Sequence, residues 1–170
     1  SVEDYQGLGS PTESVASFEI SKLVLEKDDK VLEKLKNVYQ LLSGTGNSIA
    51  MIINRSFRQC RIFFAVGTEH DDSELAKNLA MNVRDAFLGN FPGSECDDVH
   101  YYSDGRGSAF NALNENTGFG VVDFNSIGIV SNIATDFSEE FSTQGIEKLI
   151  DGISLGRDEE YTLILVGRSM

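Results

Sequence analysis

The sequence predicts an α+β domain: an antiparallel or mixed sheet with helices mainly on one face, in the order (β)α-ββαββαβ. Three observations lead there. Runs of strand length recur along the chain, some alternating apolar with polar residues and some apolar throughout. Apolar residues at helical spacing form stripes between them. Each expected hairpin precedes such a stripe, which has to be buried against a sheet.

Residues 1–17 are rich in Ser, Gly, Glu and Pro and read as a flexible leader to a single domain over 18–170. Residues 18–26 (FEISKLVLE) alternate apolar with polar, which predicts an edge strand. Asp28 and Asp29 offer N-caps to a first helix over 31–42, whose stripe is Val31, Leu35, Val38, Tyr39 and Leu42, with Gly44 as its stop. Residues 49–54 and 60–67, joined by a polar loop around Ser56 and Arg58, predict a hairpin. Asp71 is placed to cap a second helix, with Glu74 three residues on as in a capping box. Its expected stripe is Leu75, Leu79, Val83, Ala86 and Phe87; Ala76 and Ala80 permit close approach to a sheet, and Gly89 and Pro92 end it.

Residues 98–103 form a short strand candidate, 104–120 fit no element, and 121–132 read as a long strand bulged at Gly128. Ser138, Glu139 and Glu140 open an expected third helix with the stripe Ile146, Leu149, Ile150 and Ile153, closed by Gly156. Residues 161–166 (YTLILV) are apolar on both faces, which predicts a central strand.

Composition narrows the function. The 170 residues carry a net charge of −13. Residues 1–85 hold 10 basic and 13 acidic side chains, against 4 and 14 in residues 86–170, so the halves carry −3 and −10. Nucleic-acid binding requires clustered Lys and Arg, so direct contact with DNA or RNA is not expected, nor is attraction to an anionic membrane. No apolar run is long enough to cross a bilayer, and no secretory signal is legible, so the sequence reads as a soluble, cytoplasmic domain. Cys60 and Cys96, 36 positions apart, make neither a disulfide framework nor a zinc pair, and are expected as free thiols.

No catalytic, cofactor-binding or metal-binding residue is assigned. Ser-Gly-Thr-Gly-Asn-Ser at 43–48 lacks Gly-Lys-Ser/Thr and leads from helix to strand, the reverse of a phosphate loop. The glycine stretches 105–108 and 118–120 lack that context too. His70, Asp71 and Asp72 cluster where a helix start explains them. Cys96, Asp97, Asp98 and His100 offer ligand types in one loop, but strand alternation spreads them over two faces. Asp97–Asp98 and Glu159–Glu160 are adjacent in sequence, as solvated turn residues are. Cys96 with His100 is the one nucleophile–base pair worth measuring.

Helix 31–42, hairpin 49–67, the junction Gly89-Asn90-Phe91-Pro92-Gly93-Ser94-Glu95 and the ending IEKLIDGI (146–153) plus YTLILV together form a pattern. It resembles the N-terminal region of large bacterial ATP-binding proteins of the HerA–FtsK class, including conjugation and type IV secretion ATPases, over about residues 18–168. The resemblance implies an accessory domain beside a motor that carries the Walker motifs, absent here, and a non-catalytic role in docking to neighbouring subunits or machine components. The start at Ser1 and the stop just after a strand read as the cut ends of one domain. The alternatives are a small-ligand binder or enzyme using the Cys96–His100 loop and residues 104–120, and an adaptor that binds peptide along an exposed strand edge. The edge expected for that is 18–26, with Lys22, Glu19 and Glu26 as its guarding charges and Ile20 and Val24 as its apolar positions.

Overall fold

The structure, a computed structural model, describes residues 15–26, 30–55, 60–68, 72–101 and 161–168. Its elements are β1 (Val15–Lys22), α1 (Val31–Gln40), β2 (Ser48–Arg55), β3 (Cys60–Gly67), α2 (Ser73–Asn90), β4 (Glu95–Cys96), β5 (His100–Tyr101) and β6 (Tyr161–Arg168). The fold is α+β. The described strands form one antiparallel sheet in the order β4-β1-β3-β2-β6, with β5 also paired to β1. The expected strand over 121–132, the third helix and residues 104–120 lie outside the described residues.

Register sorts the side chains onto two faces. Phe18, Phe64, Met51 and Leu165 stand in one row across β1, β3, β2 and β6, and Ala16, Val66, Ile49 and Gly167 in the next. This face carries both described helices. Its core joins those residues to Val38 and Leu42 of the α1 region and to Ala76, Ala80, Val83, Phe87 and Phe91 of the α2 region. Aromatic rings link the layers, with centroids 5.7 Å apart for Phe18–Phe64, 5.6 Å for Phe64–Phe87 and 4.7 Å for Phe87–Phe91. On the second face Ser17, Ile52, Asn54, Phe63 and Ala65 are buried as well.

Several sequence expectations shift. β1 begins at Val15, inside the expected leader, and it is not an edge: β3 lies on one side and β4 and β5 on the other. Its alternation instead separates the core residues Ala16, Phe18 and Ile20 from the second-face residues Ser17 and Glu19. Glu19 and Lys22 are not guarding an edge either. Glu19 forms a two-point ion pair with Arg61 on β3, and Lys22 Nζ lies 2.9 Å from Glu95.

The N-cap of α1 is Lys30, without a side-chain cap bond; Asp28 and Asp29 are outside the described residues. The regular helix stops at Gln40, and Gly44 follows in a left-handed turn. Asp72, not Asp71, caps α2: its carboxylate accepts the Leu75 N–H at 2.9 Å, so Glu74 stands one place too early for a capping box. The buried stripe of α2 is Ala76, Ala80, Val83 and Phe87, while Leu75 is exposed. The two alanines set the helix closest to the sheet, and that rotation turns Leu75 outward. Gly89 lies within α2, which ends at the C-cap Phe91; Gly93 takes the left-handed conformation against Val24. The 98–103 candidate reduces to β5, with β4 preceding it. Finally, β6 stands at the end of the described sheet, paired to β2, rather than at its centre.

Candidate functional site

β6 is fixed to the domain by side chains as well as by its ladder. Tyr39 on α1 reaches the seam between β2 and β6, where its hydroxyl accepts the Met51 N–H (3.1 Å) and donates to the Leu165 carbonyl (2.9 Å). Burial pushes this phenol up to about 12, against the opposing pull of the Met51 hydrogen bond. On the second face Asn54 Nδ2 donates to Thr162 Oγ1 at 2.9 Å, between two residues that face each other across the strands. The register runs unbroken from Ser48↔Arg168 to Arg55↔Tyr161.

These bonds define what β6 offers on its far side. In an antiparallel strand the N–H and C=O of one residue point the same way, and adjacent residues point oppositely. The Leu165 carbonyl points to β2, so the backbone groups of Ile164 and Val166 point away from it. Among the described residues no strand pairs with that side. The side chains of the same two residues are on the second face and exposed, Ile164 to 44% and Val166 to 67%. Residues 161–167 carry no charge and no proline, and β6 is eight residues long. Sheet edges are ordinarily blunted by Lys, Pro, a bulge or shortness, and β6 has none of these before Arg168.

The Cys96–His100 pair separates. Cys96 lies opposite Ile20 and packs on the helix-bearing core, whereas His100 lies opposite Ser17, a second-face position. Burial pushes the Cys96 thiol up to about 11, with nearby Asp97 adding to the shift and Arg84 opposing it, so the group is a protonated thiol at neutral pH. Arg84 donates weakly to the Cys96 carbonyl at 3.4 Å. Cys60 is an exposed free thiol. Among the described residues no three His, Cys, Asp or Glu side chains gather as metal ligands. His70 and Asp71 lie outside those residues, as do 104–120, 159 and 160, and Asp72 acts as a cap. The 43–48 segment is a turn between α1 and β2 with Gly44 and Gly46 at positive φ. No described helix is long and apolar enough to cross a membrane.

Sequence reading expected a central strand here because an apolar run suggests burial on both faces, whereas Ile164 and Val166 are exposed on the second face and β6 stands at the end of the described sheet. No protein-family model, curated protein or solved structure matches this chain.

Proposed function

We propose that this chain is a non-catalytic docking domain that receives a protein segment by strand addition along β6. The observation behind this is that Ile164 and Val166 combine outward backbone donors and acceptors with exposed apolar side chains, on a strand without charge or proline before Arg168. Strand addition uses both, taking affinity from main-chain bonds and selectivity from alternate side chains. The reading unites two expectations from the sequence, docking to machine components and an adaptor edge, and moves the edge from residues 18–26 to β6. The resemblance to the N-terminal region of HerA–FtsK-class ATPases supplies a setting, an assembly module cytoplasmically placed beside a nucleotide-driven motor. A thiol held protonated, and a histidine on the other face, favour docking over nucleophilic chemistry at the 96–100 loop.

The test substitutes Val166→Lys and Ile164→Lys in the full-length protein and measures its assembly with its partners. The expected result is loss of assembly with an unchanged melting transition. Assembly that persists in both variants, with folding intact, removes the reading.

A further inference from the structure

We infer that the segment received at β6 is the β6 strand of a second copy of this chain, giving a two-fold dimer with a sheet continuous across the interface; this rests on the docking reading above.

Geometry supports the second copy. A two-fold axis perpendicular to the sheet sets a strand antiparallel to itself, so an antiparallel edge presents its own complement. With Leu165 facing Leu165 on the axis, Ile164 of each copy stands opposite Val166 of the other. These are the residues whose backbone groups point outward, so the pair closes hydrogen-bonded rings on both sides of the axis. The same register brings all four exposed apolar side chains, two Ile164 and two Val166, onto one face.

Charge supports it too. Each chain carries −13, and a contact between copies needs a surface free of that charge. Residues 161–167 supply one, while Glu95, Asp97 and Asp98 stand at the opposite end of the described sheet, beside β4. A basic partner has no counterpart on this strand. The copies still repel at long range, so added salt screens the repulsion and strengthens the dimer, whereas it weakens docking of a basic partner.

Sedimentation velocity over a concentration series, at low and high salt, reads the stoichiometry. Amide hydrogen exchange on the same samples reads the register. The expected result is a reversible monomer–dimer equilibrium that tightens with salt and shifts at least tenfold toward monomer in Val166→Lys. Protection is expected to rise with concentration at the amides of Ile164 and Val166, while Leu163 and Leu165, already turned to β2, stay unchanged. Val166→Thr keeps strand propensity without adding charge and retains the dimer, which separates charge repulsion from misfolding. A chain monomeric at every soluble concentration overturns the inference. If assembly of the full-length protein then still depends on Val166, the docking reading stands without it; if assembly is indifferent as well, both fall. A dimer whose amide protection rises elsewhere, with Ile164 and Val166 unchanged, also overturns it.

Discussion

The ring of Tyr39 fills the space that a side chain at Gly167 requires. A Cβ built on Gly167 comes within 2.8 Å of Tyr39 Cδ1 and 3.1 Å of Cε1. The backbone at Gly167 is ordinary strand, without a positive φ, so the glycine is there for room and not for conformation. Gly167→Ala therefore forces apart α1 and the end of β6, at a cost of about 1–3 kcal/mol. In a Tyr39→Leu background the same substitution costs less, and a double-mutant cycle in urea measures the difference. Additive effects refute the steric link.

Removing only the phenol oxygen tests the other half of that contact. Tyr39→Phe keeps the ring over Gly167 but deprives Met51 N–H and Leu165 C=O of their bridge, a loss of about 1–3 kcal/mol. It also changes the alkaline response. Burial holds the folded phenol up at about 12, above its ordinary value of 10.0, so above pH 10 the unfolded chain gives up its proton first. Stability from this group is complete below pH 10 and declines between 10 and 12, by up to about 1.4 kcal/mol per pH unit. Cys96 acts in the same direction from pH 9 to about 11. Denaturant midpoints over pH 9–12 are expected to fall less steeply in Tyr39→Phe than in wild type. Identical slopes would exclude the buried phenol as the cause.

Asn54 is 2% exposed, and its Oδ1 finds no hydrogen-bond partner while Nδ2 bonds Thr162. An unsatisfied buried carbonyl costs about 1–3 kcal/mol, so the amide pins the β2–β6 register at the expense of stability. Asn54→Val combined with Thr162→Val is expected to melt at or above the wild-type temperature. A clear drop in the double variant contradicts this account.

Two ion pairs on β1 differ in depth. The Glu19–Arg61 side chains are about one-fifth exposed, and those of Lys22–Glu95 more than half. Lys22→Ala is expected to change stability by less than about 1 kcal/mol. Glu19→Ala leaves a largely buried guanidinium without its two-point partner and costs more, about 1–3 kcal/mol. Chemical denaturation of the two variants ranks them, and equal costs would show that burial is not what separates the pairs.

How legible the fold was depends on which direction in space a residue pattern reports. The hairpin of β2 and β3 and the length of α2 followed from periodicity, because side chains project from the faces and periodicity samples the faces. Position within the sheet lies at right angles to that, along the backbone hydrogen bonds. FEISKLVLE alternates because Phe18 and Ile20 meet the helices while Glu19 meets Arg61, yet neighbours flank the strand on both sides. In YTLILV only Leu163 and Leu165 pack on the core, Ile164 and Val166 being exposed on the other face, and the strand stands at the end of the described sheet. The capping shift from Asp71 to Asp72 has a simpler origin: adjacent aspartates are equivalent in sequence, and only the path of the chain selects one. Cys96 and His100 stand four positions apart, so strict alternation would put them on one face; they separate because residues 97–99 interrupt the strand between β4 and β5.

The pairing of Asn54 with Thr162 spans 108 positions in sequence. Contacts so distant form late, since the closing of the intervening loop must precede any gain from them. At a synthesis rate of about 5–20 residues per second, β2 waits roughly 5–20 seconds for β6 to leave the ribosome. Throughout that interval the flank of β2 that β6 will occupy has its hydrogen-bonding groups unmet, beside Ile49, Met51 and Ile53, and any extended segment nearby competes for it. The arrival of β6 therefore ends the vulnerability to mispairing at that flank, and among the described strands it passes the end position of the sheet outward from β2 to β6.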